Sequence, residues 1–208
     1  MLQKIKQDII KYGKLAGERN LSPGVSGNIS VRYGENIVIT ASGSANGFLE
    51  ESDISVIDFN GNLVEGTKQA SKEKLMHIEF YKKRNDINAI CHFHSPYMSA
   101  YAITSKAIDE NVLPDIIYHF NKIPIAQYSV PGSEKLAQDT AFYFDKYKAV
   151  LMANHGYVTG GKDLKEAFLN AETCETYAKT LILSKILGGA KMLNEQQVEE
   201  INSMNPKQ

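Results

Sequence analysis

The sequence predicts one α/β domain built on a mixed, largely antiparallel sheet flanked by helices. Three observations carry that expectation. Segments with apolar residues every three or four positions alternate with short runs rich in Val, Ile, Thr and Tyr. Several of the short runs face each other across Gly- or Asn-containing turns, as hairpins do. The chain has 208 residues, 43% of them hydrophobic and 23% charged, a length and composition that suit one domain with a sizeable core. No repeat or low-complexity linker divides it, so residues 1–208 read as a single unit with a polar tail from about Asn194.

Ile5, Ile9, Tyr12 and Ala16 give the first helix one apolar stripe from about Leu2 to Arg19, ended by Pro23 and Gly24. Gly27–Tyr33 and Ile37–Thr40 read as a hairpin around Gly34-Glu35-Asn36. Ala41–Gly47 is small and polar. It is either a plain surface turn or a loop whose backbone N–H groups approach an anion. Val56–Phe59 and Asn62–Val64 flank Asn60-Gly61, which predicts a type I′ turn.

Ser71 stands where a helix N-cap is expected, with Lys72 and Glu73 in the first turn and Met76 and Phe80 on the buried face. Two readings compete there. In one, Ser71 caps and Glu73 complements the helix dipole. In the other, Ser71 and Lys72 receive a phosphate while Glu73 faces a metal. His77, one turn on, is either a further ligand or a hydrogen-bonded structural residue.

Ala89–Phe93 is a strand, so His92 and His94, two apart, project from one face while Phe93 packs on the other. Ser95-Pro96 opens another helix. Val112–Phe120 is apolar and aromatic without a clean period, and suits a subunit contact or a pocket mouth. Ile123–Tyr128 contains Pro124 and reads as an edge strand. Ser133 caps a helix toward Phe144, and Lys148–Ala153 is a buried strand ending at His155-Gly156. Asp163 and Glu166 open the longest helix, which Gly188-Gly189 stops. Gln196–Asn202 suits a short helix that orders on assembly.

Composition excludes several classes of function. A net charge of −1 with dispersed basic residues offers nothing to nucleic acid. No apolar run reaches the roughly 20 residues that span a bilayer, and the N-terminus continues into an amphipathic helix instead of a secretion signal. Cys91 and Cys174 are expected as buried free thiols. A cytoplasmic enzyme with a small partner is the default. The candidate site is the His92/His94 pair joined by His155 and Glu73: three imidazoles on one metal, with an open position for substrate and a carboxylate beside it.

Ser26-Gly27-Asn28-Ile29-Ser30, Ile39-Thr40-Ala41-Ser42-Gly43, Ala70-Ser71-Lys72-Glu73, His92-Phe93-His94-Ser95 and Ala153-Asn154-His155-Gly156 together resemble the class II aldolase and adducin-head family, of the fuculose-phosphate aldolase type. The resemblance covers nearly the whole chain. It implies Zn²⁺, or another divalent transition metal, on His92, His94 and His155, with Glu73 as the catalytic acid/base. It further implies that Asn28, Ser42, Gly43 and Ser71 surround a substrate phosphate, and that Tyr118 donates a proton across a subunit boundary of a homotetramer.

The implied activity is retro-aldol cleavage of a phosphorylated sugar or sugar acid. Such a cleavage leaves an enediolate whose charge the metal offsets as a Lewis acid. At Ser71-Lys72-Glu73 the sequence departs from the two serines usual in that type. It resembles instead the branch that decarboxylates 3-oxo-tetronate 4-phosphates, where Lys72 binds a carboxylate or a phosphate or points to solvent. A non-catalytic binding module like the adducin head is the third reading, disfavoured by the retention of all three histidines and the glutamate.

Overall fold

The computed structural model describes residues 1–204. Its centre is an eight-stranded sheet made of β1 (Asn28–Tyr33), β2 (Asn36–Thr40), β3 (Ile54–Asp58), β4 (Leu63–Glu65), β5 (Ala89–Phe93), β6 (Ile125–Ala126), β7 (Ala149–Met152) and β8 (Gly156–Gly161). The order across the sheet is β4-β3-β2-β1-β5-β8-β7-β6. Every neighbouring pair is antiparallel except β6 and β7 at one edge. The expected mixed, largely antiparallel α/β architecture is the one observed.

Among the described residues seven α-helices accompany the sheet: α1 (Leu2–Glu18), α2 (Lys74–Lys83), α3 (Pro96–Ile103), α4 (Pro114–His119), α5 (Glu134–Phe144), α6 (Leu164–Ile186) and α7 (Glu195–Ser203). Strand β5 lies mid-sheet and is buried throughout. Its residues alternate between two cores, as a period of two demands. Ala89, Cys91 and Phe93 join the core that includes Ile9, Met98 and Phe168 of α1, α3 and α6. Ile90 joins the core of Met76, Phe80 and Phe144 from α2 and α5. His92 therefore points to the side of the sheet that α2 covers.

Several sequence signals act as expected. Ser133 Oγ accepts from Leu136 N at 3.1 Å, and Asp163 Oδ1 accepts from Glu166 N at 2.8 Å, so both helices have true side-chain caps. Cys91 and Cys174 are free and buried. The segment around Tyr118, expected to be irregular, forms the short helix α4 behind Pro114. The tail forms α7, closed by a capping box between Asn194 and Gln197, beside α4. Among the described residues no helix is long and apolar enough to cross a membrane.

Two local expectations are corrected. The Asn60-Gly61 turn is not type I′, because only Gly61 has positive φ (83°). Gly61 N bonds Asp58 O at 3.0 Å and Asp58 N bonds Asn62 O at 3.0 Å, which makes a wider turn closed by a left-handed glycine. Asp58 Oδ1 accepts from both Asn60 N and Asn62 N at 2.8 Å, and this side-chain brace selects the wider form. The second correction is Ser71. Helix α2 begins at Lys74 with Glu73 in the N-cap position, and no side chain caps it. Ser71 instead opens a preceding turn, with Lys74 N bonding its carbonyl at 3.1 Å and Glu73 N bonding its hydroxyl at 3.2 Å.

Candidate active site

The site forms where β1, β5 and the turn between β7 and β8 meet the start of α2. Asn28 on β1 is the cross-strand partner of His92 on β5, and Phe93 pairs with Tyr157 on β8. That register brings His155, at the mouth of the β7–β8 turn, level with the end of β5. The turn is tight. Asn154 takes φ of 56°, a left-handed conformation that asparagine tolerates better than most residues, and His155 N bonds Met152 O at 3.1 Å. Gly156 follows because a Cβ there would lie 2.6 Å from Phe93 O and 2.9 Å from His94 Cδ2.

The three imidazoles form a nearly equilateral cluster, with ring centroids 4.7, 4.9 and 4.9 Å apart. One nitrogen from each lies within 4.8 Å of the others. The His92 tautomer is fixed from behind: Tyr157 O can only accept, so His92 Nδ1, 2.8 Å away, carries a proton and donates it. His92 Nε2 then faces the cluster, 2.9 Å from His94 Nε2 and 3.1 Å from Glu73 Oε2. Glu73 Oε1 lies 3.1 Å from His155 Nε2, too poorly aligned for a hydrogen bond. Glu73 Oε1 and His155 Nδ1 are thus buried polar atoms without a hydrogen-bond partner. Converging imidazole nitrogens, a carboxylate between them and an orphaned oxygen fit a divalent transition metal.

The electrostatics follow from burial and proximity. Burial by itself raises the Glu73 carboxyl, but His92 and His155 close beside it outweigh that and hold Glu73 well below the usual carboxylate range. Burial lowers His92, and Glu73 reverses that and raises it. Burial, with His92 and His155 adding repulsion, pushes His94 down to about 3, so His94 is a neutral imidazole suited to ligation.

A cleft of about 310 Å³ opens onto this cluster. Asn28, Ser42, Gly43, Ser71 and Lys72 line it together with Glu73, His94 and His155. Two chain segments are zipped together to achieve this: Ser71 N bonds Thr40 O at 3.1 Å, Ser42 N bonds Gln69 O at 2.9 Å, and Ala41 bridges Ala70. The Ser71 hydroxyl accepts from Glu73 N, which leaves its proton to donate into the cleft. Lys72 is exposed at the cleft. Asn28 has its side chain engaged with Glu73 at 2.8 Å and with His77.

Tyr118 stands on α4 and is not among the residues lining this cleft within one chain. Sequence reasoning missed the Tyr157 carbonyl, a backbone group with no residue-type signal. It also missed Val25 and Pro131, apolar members of the cleft wall. Glu175 was missed too: its carboxylate accepts from Ser95 Oγ, Tyr97 N and Met98 N at 2.6, 3.0 and 2.9 Å, capping α3 directly after His94.

Residues 7–182 match the family model described as the Class II Aldolase and Adducin N-terminal domain, and the chain belongs to that family. Its matched relatives include aldolases and decarboxylases, and this chain is a metal-dependent lyase. Among its relatives, the L-fuculose phosphate aldolase of Methanocaldococcus jannaschii is 37% identical over 182 residues, 88% of this chain and 98% of that one. The 3-oxo-tetronate 4-phosphate decarboxylase of Haemophilus influenzae is 34% identical over 205 residues, 95% of this chain and 96% of its own. A solved L-fuculose 1-phosphate aldolase superposes with a TM-score of 0.90 at 35% identity, covering 97% of this chain and 95% of the other.

Proposed function

We propose that the protein is a zinc-dependent carbon–carbon lyase that cleaves a phosphorylated sugar or sugar acid by retro-aldol reaction. The observation that carries this reading is the convergence of His92, His94 and His155 on Glu73 at the cleft that Ser42, Gly43, Ser71 and Lys72 also line. The three histidines would hold the metal, which when bound supplies Lewis-acid polarisation of a substrate oxygen. Glu73 Oε2 is anchored by Asn28, and Oε1, which lacks a hydrogen bond, is the oxygen placed to take a proton from substrate and return it. The Ser71 hydroxyl and the Lys72 ammonium suit a phosphate, whose binding orients the reacting end of the substrate.

Decarboxylation of a 3-oxo-tetronate 4-phosphate is the second reading, supported by the lysine at position 72 and by relatives with that activity. Here Lys72 holds the carboxylate or the phosphate. A panel of phosphorylated ketoses and 3-oxo acids, assayed for dihydroxyacetone phosphate and for CO₂ before and after chelation, separates the two. Loss of both products on chelation and their return with Zn²⁺ are expected. Stoichiometric zinc that survives combined His92→Ala and His94→Ala changes would sink the site assignment.

The two buried free thiols suit a cytoplasmic setting. We further place the protein as a homotetramer in which Tyr118 of one subunit serves the cleft of another as proton donor. Sedimentation at assay concentration should show the tetramer, and a monomer with full activity would remove Tyr118 from that role.

A further inference from the structure

Glu73, His77 and Tyr81 recur at intervals of four at the start and along one face of α2, and Asn28 and Ser30 alternate on β1. The two periodicities interlock into one buried chain of hydrogen bonds. Tyr81 Oη is 2.8 Å from Ser30 Oγ, and Ser30 Oγ is 2.6 Å from His77 Nδ1. His77 Nε2 meets Asn28 Oδ1, and Asn28 Nδ2 donates to Glu73 Oε2 at 2.8 Å. Tyr81, Ser30 and His77 are fully buried and Asn28 is 4% exposed, so bulk solvent offers these groups almost no alternative partner.

One direction of donation satisfies every group. A carboxylate only accepts, so Asn28 must turn its NH₂ toward Glu73 and its carbonyl oxygen toward His77. His77 must then carry its proton on Nε2 and accept on Nδ1 from Ser30, which accepts from Tyr81. In the opposite direction the Tyr81 hydroxyl would receive a proton, keep its own without a buried acceptor, and Asn28 would set its oxygen against Glu73. Burial, together with the charge of His92, pushes His77 down to about 3, which agrees with a neutral ring.

We propose that His77 is the positioning residue of the site: its Nε2–H holds the Asn28 amide in the one orientation that gives Glu73 a hydrogen-bond donor. This rests on the reading of Glu73 as the acid/base. His77 touches neither substrate nor metal. It acts through Asn28, by keeping one Glu73 oxygen anchored and the other aimed at the cleft.

Nitrogen-15 spectra of the metal-free wild-type protein read the tautomer directly. His77 should show a protonated Nε2 and a bare Nδ1 at pH 7, and should stay neutral down to about pH 5. A protonated Nδ1 or an imidazolium at pH 7 overturns the proposal. In the zinc-loaded protein, His77→Phe should lower kcat about 10²-fold with KM within about threefold. His77→Gln, which restores a donor to Asn28, should recover kcat to within about fivefold of wild type. Wild-type kcat in a folded His77→Phe protein, or equal losses in both variants, also overturns it. The spectra need neither activity nor a variant that folds. Absence of both lyase products from the wild type with the expected tautomer would refute the functional reading and leave the hydrogen-bond assignment standing.

Discussion

Glu73 meets groups from three parts of the chain: it accepts a hydrogen bond from Asn28 on β1 and faces His92 on β5 and His155 after β7. Replacing its carboxylate by an amide tests what the charge does. Glu73→Gln keeps the shape and all three imidazoles, so metal per chain measured by atomic absorption should stay stoichiometric. On the role proposed for Glu73 the variant loses its proton acceptor, and kcat should fall about 10²- to 10⁴-fold. A variant with full zinc and kcat within threefold of wild type would show that another group carries the proton. The histidines were legible in sequence because two of them obey the strand period and the third ends a buried strand. The Asn28–Glu73 bond was not, because it joins residues 45 positions apart whose meeting depends on how α2 lies across β1. His77, read as either ligand or structural residue, is a hydrogen-bonded member of the buried network.

Elements with one strong local preference read correctly, and those decided by a competing hydrogen bond did not. Asp163 and Ser133 cap their helices because each is followed by a free first-turn N–H and nothing else claims the oxygen. Ser71 has the same residue type but a different neighbour. Its backbone is tied into the sheet through Thr40, so the helix starts three residues later and the hydroxyl bonds Glu73 N from outside the helix. The Asn60-Gly61 pair likewise has the composition of a two-residue turn. The Asp58 carboxylate, by accepting from the N–H groups of both Asn60 and Asn62, favours the wider one. The α4 segment lacked a clean helical period because it is only six residues long, too short to show one. Helix α3 shows the reverse case. Its start was legible from Ser95-Pro96, yet the cap is Glu175 from α6, supplied by tertiary structure and invisible to local reasoning.

At the scale of the whole molecule, the site costs the fold stability in a pH-dependent way. His77 is locked neutral at the centre of the packed sheet–helix interface, with a folded pKa of about 3 against 6.5 for the free side chain. Below about pH 6.5 the unfolded chain binds a proton that folded His77 refuses, so stability falls as pH drops and continues to fall until about pH 3. His94, lowered to about 3 by burial, acts with the same sign in the metal-free protein. His92 is raised in the folded state; its contribution is fully present below 6.5 and is lost as pH rises through its folded value, so it adds no slope in the acid window. Glu73 is lowered, and its contribution is lost only as pH falls below the ordinary carboxylate range near 4.5. Between pH 6.5 and 4.5 the slope therefore belongs to the buried neutral histidines, at about 1 kcal/mol per pH unit for each. Urea unfolding of the metal-free protein across that window should show stability declining with acid, and His77→Gln should remove close to half of the slope. Equal slopes for wild type and variant would mean that His77 takes up its proton without unfolding, against the burial and the internally satisfied hydrogen bonds of Tyr81, Ser30, His77 and Asn28.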